Sequence, residues 1–233
     1  MNKKLSGIIG TFLSILILIY FESTIYKVIN IVGINLNNFS TLINIIVNLV
    51  IKIIMCILIY FIYKKDFKKR YSNNNLIRDF LFLIIYLILL VLIMYIFKYV
   101  IGFIGDIFNI NIINEEYYNI FNKTLNVSLV IKIISDYLII PFLYCSIILL
   151  GCNKLCKHNN TFIVFSGLIA SIVYAFSISG TLGYVIINSL FMFILFGILA
   201  FIYKRENRIW MIILLYGLYL ISNNIIINYL GWL

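Results

Sequence analysis

Proline occurs once in this chain, at Pro141, histidine once, at His158, and glutamine not at all. Acidic side chains number 8 against 18 lysines and arginines, and charged residues make up only 11% of the 233 positions. Soluble domains carry about 25% charge, so soluble Rossmann or TIM architectures are excluded. With 64% hydrophobic residues, disorder is excluded too. Four cysteines, Cys56, Cys145, Cys152 and Cys156, are too few for a disulfide scaffold. What the chain has instead is a series of long apolar runs and a mean hydropathy of +1.11. The runs are continuous, which excludes an outer-membrane barrel with its alternating segments of about 10 residues. The expected fold class is all-α: a polytopic membrane helix bundle.

A helix needs about 20 apolar residues to cross a bilayer. Seven stretches qualify as transmembrane helices, at 5–22, 40–63, 79–104, 127–150, 161–180, 182–203 and 208–231. Ser222, Asn223 and Asn224 interrupt the last one, which reads either as one span or as a shorter span followed by a helical segment. The basic Met1–Lys4 stretch before an apolar run has the shape of a signal peptide. No small-x-small cleavage site follows, so an uncleaved first span is expected.

Loop charges give the orientation. With the N-terminus inside, the inner side receives Lys3 and Lys4, the group Lys64, Lys65, Lys68, Lys69, Arg70 and Arg78, then Lys154 and Lys157, then Lys204, Arg205 and Arg208. The outer side receives Lys27 and Lys123, balanced by Glu22, Asp106, Glu115 and Glu116. The positive-inside rule therefore predicts N-in and C-out. The net charge of +10 is then a topology signal, and nucleic acid is not an expected partner. Heavy use of Ile, Asn, Lys and Tyr suggests an AT-rich bacterial genome, and hence the bacterial cytoplasmic membrane. Residues 105–126 form the longest outer loop, with a short amphipathic piece expected at the interface.

Charged side chains at membrane depth are costly and mark functional sites by default. Lys52, Lys98, Lys132 and Asp136 are such residues. Lys98 is close enough to an outer end to snorkel. Lys132 and Asp136 share a helix face and can pair, and Asp136 is the intramembrane acid open to Lys52. Asn48, Asn188, Asn223 and Asn224 are expected to bond between helices. A polar pathway of Lys52, Lys132 and Asp136 would suit a small transporter or transporter subunit. Neither an inverted repeat nor a pair of Gly/Pro-broken helices accompanies it. Cys152, Cys156 and His158 are expected in an inner loop, and three ligands fall short of a tetrahedral zinc set. There is no Walker A, no Gly-rich dinucleotide turn and no HExxH.

Three segments in the C-terminal half carry a pattern. The first is Pro141-Phe142-Leu143-Tyr144-Cys145-Ser146-Ile147-Ile148-Leu149. The second is Phe165 to Tyr174, containing Gly167 and Ala170. The third is Gly197 to Trp210, with Tyr216 six residues after the Trp and Leu220 four further on. In order and spacing, residues 127–226 resemble the CPBP intramembrane protease family, also called the CAAX protease or Abi family. That family has a Glu-Glu-x-x-x-Arg motif after a Pro, then Phe-x-x-x-His, then His-x-x-x-Asn/Asp after a Trp. The resemblance implies that Tyr144 and Cys145 stand for the two Glu, Leu149 for the Arg, Ala170 for the Phe, Tyr174 and Tyr216 for the two His, and Leu220 for the Asn/Asp. It also divides the chain into an N-terminal membrane region, 1–126, and a CPBP-like helical core, 127–233.

Every departure falls on the chemistry, since phenols with a pKa of about 10 replace carboxylates and imidazoles. The resemblance thus implies a member without catalysis, metal or other cofactor, the alternative being an intramembrane metalloprotease of the CPBP type. Its partners would be membrane lipid and another membrane protein or membrane-active peptide, in bacteriocin immunity or regulation. The groove between the last four spans would be lined by Tyr144, Tyr174, Tyr216 and Asn188, with a Ser166/Ser171 face for close helix approach.

Overall fold

In a computed structural model of the protein, residues 3–31, 41–68, 76–107, 127–156, 158–177 and 182–230 are described. Almost all of them are helical, and no strand occurs among them. In hydrocarbon every backbone N–H and C=O must be satisfied within the segment, which leaves the helix as the solution for such apolar runs.

The elements are α1 (Lys3–Ile31), α2 (Thr41–Lys68), α3 (Leu76–Ile107), α4 (Val127–Leu155), α5 (Asn159–Ser177), α6 (Leu182–Glu206) and α7 (Ile209–Leu230). Six of them, α2 to α7, are long and apolar enough to cross a membrane, which makes this a multi-pass membrane protein. Within the expected first span, 5–22, α1 carries the apolar stretch Ile8–Phe21. The amphipathic piece expected within 105–126 lies outside the described residues from position 108 onward.

At the helix ends, one open alternative is decided and one expectation is corrected. α7 runs unbroken through Ser222, Asn223 and Asn224. Asn223 accepts a hydrogen bond from Lys98 at 3.1 Å, and Asn224 is buried, so these amides find partners without ending the helix. α4 continues to Leu155, so Cys152 is a buried helix residue and not a loop residue. All four cysteines are free thiols.

α4 is the central element. It contains two π-helical turns, Ser135–Ile139 and Ser146–Leu150, on either side of Pro141. Proline has no N–H and its ring crowds the carbonyl four residues back, here that of Tyr137. The first π-turn relieves the crowding, and the Ile140 N–H bonds to the Ser135 carbonyl five residues back. Gly217 of α7 packs against the same Tyr137 carbonyl, which leaves no room there for a Cβ.

α2 packs on α1 and α4, α3 on α6 and α7, and α5 on α6 along the most extensive seam of the bundle. One apolar core joins them, from Met55 and Ile59 through Leu149 and Phe162 to Leu199 and Leu215, and it crosses the 126/127 boundary. At one end of the bundle three basic segments meet. Asp66 pairs with Lys154 at 3.0 Å, Asp79 pairs with Arg208, and Tyr86 donates to Glu206 at 2.5 Å. Asn207, with φ 56°, makes the tight left-handed turn from α6 into α7 at this end.

Candidate functional site

The residues implied by the resemblance come from three helices. Tyr144 and Cys145 stand on α4 between the two π-turns, Tyr174 in the last turn of α5, and Tyr216 in the middle of α7. Tyr216 is almost wholly buried and lies within electrostatic reach of Tyr144, Cys145, Tyr174 and Tyr219. Positions 144, 145, 174 and 216, up to 72 residues apart in sequence, are therefore neighbours in space. Phe196 of α6 packs against two of them. Its ring meets Tyr216 edge-on at 5.5 Å and Tyr144 at 6.2 Å. Such aromatic pairs add about 0.5–1.5 kcal/mol each beyond simple burial.

The other motif positions take packing roles. Leu149 and Ala170 are fully buried, and Leu220 is half-buried against the same core. Asn188 bonds back to the Tyr184 carbonyl of its own helix at 3.0 Å. Ser166 and Ser171 do not share a face. Ser166 is buried beside Gly167 and Ala170, whereas Ser171 lies toward the outside of α5. Gly167 provides the close approach to α6, since a Cβ there would meet the Phe193 carbonyl oxygen at 2.6 Å.

The metal that catalysis of the CPBP type would need does not fit these residues. The four positions offer phenols and a buried thiol, with no carboxylate or imidazole. Ser146, fully buried next to Cys145, has a hydroxyl without a hydrogen-bond partner among the described residues. A neutral hydroxyl does not complete a hydrolytic metal set. Among the described residues no group of three or more His, Cys, Asp or Glu is placed to hold a metal ion. His158 is exposed at the basic end of the bundle.

A second polar group lies between α2 and α4. Lys52 donates to the Ser135 hydroxyl at 3.0 Å. Ser135 also hydrogen-bonds Asp136, and the charges of Lys52 and Lys132 both act on that carboxylate. The first π-turn carries Ser135 and Asp136, and π-turns are frequent at functional sites. Lys98 stands apart from this group. It points at Asn223 and lies over the Phe191 ring at 5.4 Å, so it turns into the bundle instead of snorkelling outward. Asn48 does bond between helices, to Tyr26 at 3.3 Å.

Two parts of this arrangement had no sequence signal. Phe196 is one of 19 phenylalanines. The seam of α1 consists of Thr11, Ser14 and Tyr63: Ser14 and Tyr63 bond at 2.9 Å, and Gly151 lets Thr11 approach its carbonyl to 3.4 Å. Ser135 was open to inference, because a small hydroxyl beside an intramembrane acid is a natural partner for it.

No protein-family model, curated protein or solved structure matches this chain.

Proposed function

We propose that this protein is a non-catalytic relative of the CPBP intramembrane proteases that binds a membrane peptide or another membrane protein. One observation carries the reading: Tyr144, Cys145 and Tyr174, picked out by motif spacing, all lie within electrostatic reach of Tyr216. Chance matches in apolar helices have no reason to meet at one place. The side chains that meet are bulky and uncharged, suited to packing and hydrogen bonding. They are poorly suited to activating water. The partner fits bacteriocin immunity or the regulation of a membrane-bound sensor or processing enzyme.

In this reading the chain crosses the bacterial cytoplasmic membrane seven times, N-in and C-out. Support comes from α1, whose Thr11 and Ser14 pack beside Tyr63 and Gly151 near the basic end of the bundle. The segments around Asp66, Lys154, Asp79 and Arg208 gather at that same end, as the positive-inside rule requires.

The test is photocrosslinking in membranes from a benzoylphenylalanine at position 174, combined with a cleavage assay on the purified protein. A discrete protein or peptide adduct and no cleavage are expected. Metal-dependent cleavage of a membrane peptide would overturn the reading.

A further inference from the structure

The polar network on α2 and α4 sits at an unusual depth. Lys52 is about 15 Å along α2 from Leu42 and about 22 Å from Phe67, too far from either end for a phospholipid headgroup to meet it directly. Away from the helix ends, the described spans carry three cations, Lys52, Lys98 and Lys132, and one acid, Asp136. Lys98 is engaged elsewhere, by Asn223 and Phe191. A lysine ammonium has three N–H donors, and the Ser135 hydroxyl takes one from Lys52. Lys52 and Asp136 are only half-buried, and the side chains beside them face outward: Ile53 and Ile54 on α2, Ile134 and Leu138 on α4, at 39–56% exposure. An apolar rim around a net positive centre suits a helix that brings a carboxylate to the same depth.

We propose that the Lys52–Ser135–Asp136 network docks a transmembrane helix of a partner protein carrying an Asp or Glu at mid-membrane, which pairs with the Lys52 ammonium. Intramembrane charges are tolerated where they pair with one another, so a lone carboxylate on the partner gains a counter-charge only when docked. The inference rests on the binding reading above and names the chemistry of the partner. The pairing selects as well as binds, because a partner with an apolar residue at that depth leaves the polar centre facing hydrocarbon.

The test uses the full-length protein in lipid nanodiscs, titrated with fluorescent Leu/Ala-rich transmembrane peptides bearing Asp, Asn or Leu at the central position, and read by energy transfer. The Asp peptide is expected to bind at least tenfold more tightly than the Leu peptide, with Asn between them. Lys52→Met abolishes the preference, Lys52→Arg keeps it, and Asp136→Asn increases it by removing the internal competitor. The Arg and Asn variants keep the test decisive if Lys52→Met fails to fold. Equal binding of all three peptides overturns the acidic pairing and leaves the scaffold reading standing. Binding of none overturns both. Competition by phosphatidylglycerol over phosphatidylcholine that depends on Lys52 assigns the site to an anionic lipid and overturns the proposal. Labelling of Lys52→Cys by a membrane-impermeant thiol reagent marks a wet pathway, as in a transporter, and overturns it as well.

Discussion

The seam between α5 and α6 holds Tyr174 and Phe196 in place, and it turns on Gly167. A Cβ at this position would lie 2.6 Å from the backbone oxygen of Phe193 and 2.9 and 3.1 Å from two of its ring carbons. A close C–H···O contact is about 3.3 Å, so the α6 backbone must retreat by about 0.7 Å. A ring can rotate away, but a helical carbonyl cannot move without its helix. Overpacking of this kind costs about 1–3 kcal/mol. Replacing glycine by alanine in a helix is otherwise favourable by about 0.5–1 kcal/mol. Gly102 of α3 isolates that gain, since nothing lies within 4 Å of its virtual Cβ. Gly102→Ala is therefore expected to stabilise the protein and Gly167→Ala to destabilise it. The propensity gain is common to both, so their difference is the packing strain alone, about 1–3 kcal/mol. Reversible unfolding by SDS in mixed micelles measures both variants on one scale. Equal stabilisation by the two alanines would refute the close α5–α6 approach and the geometry built on it.

Two further outcomes follow from the same contacts. Phe196→Ala removes a fully buried ring packed on Tyr144 and Tyr216 and is expected to cost about 3–5 kcal/mol in the same assay; a loss below ~1 kcal/mol would contradict that packing. Cys156 ends α4, and burial raises its thiol above the ordinary value while the nearby Lys204 charge partly offsets this. Less thiolate is then present at any given pH, so alkylation by iodoacetamide at pH 8 should be slower than for free cysteine and should rise to its plateau at higher pH. Lys204→Met should slow it again, and a rate equal to that of free cysteine would contradict the placement.

Span positions were legible because hydropathy records burial in lipid directly. The runs at 127–150 and 182–203 became helices at Val127–Leu155 and Leu182–Glu206. The overshoot has a physical reason: hydropathy falls at a lysine or a glutamate, but both are good helix formers and the backbone ladder continues. Polar residues inside a run misled for the opposite reason. Ser222 to Asn224 looked like an interruption, yet Asn223 had Lys98 on α3 to meet, a contact 125 residues away that no local pattern encodes. The face shared by Ser166 and Ser171 was misjudged because they are five positions apart, about 140° around a helix.

Three of the motif positions, Tyr144, Cys145 and Tyr174, lie within electrostatic reach of a fourth, Tyr216. What the sequence left out was Phe196, whose ring meets Tyr144 and Tyr216, and the two π-turns of α4. A π-turn is a response to packing around Pro141 and has no reliable residue signature of its own. The polar network was half legible: Lys52 and Asp136 stood out by charge, whereas Ser135, the hydroxyl that joins them, did not.

The most direct measurement is the metal content of the detergent-purified, full-length protein by elemental analysis, after dialysis without added metal. Phenols and a thiol at these positions, with no group of three or more His, Cys, Asp or Glu placed to hold a metal among the described residues, predict no transition metal above background. Near-stoichiometric zinc would contradict the account, because it would require a ligand set that these helices do not bring together.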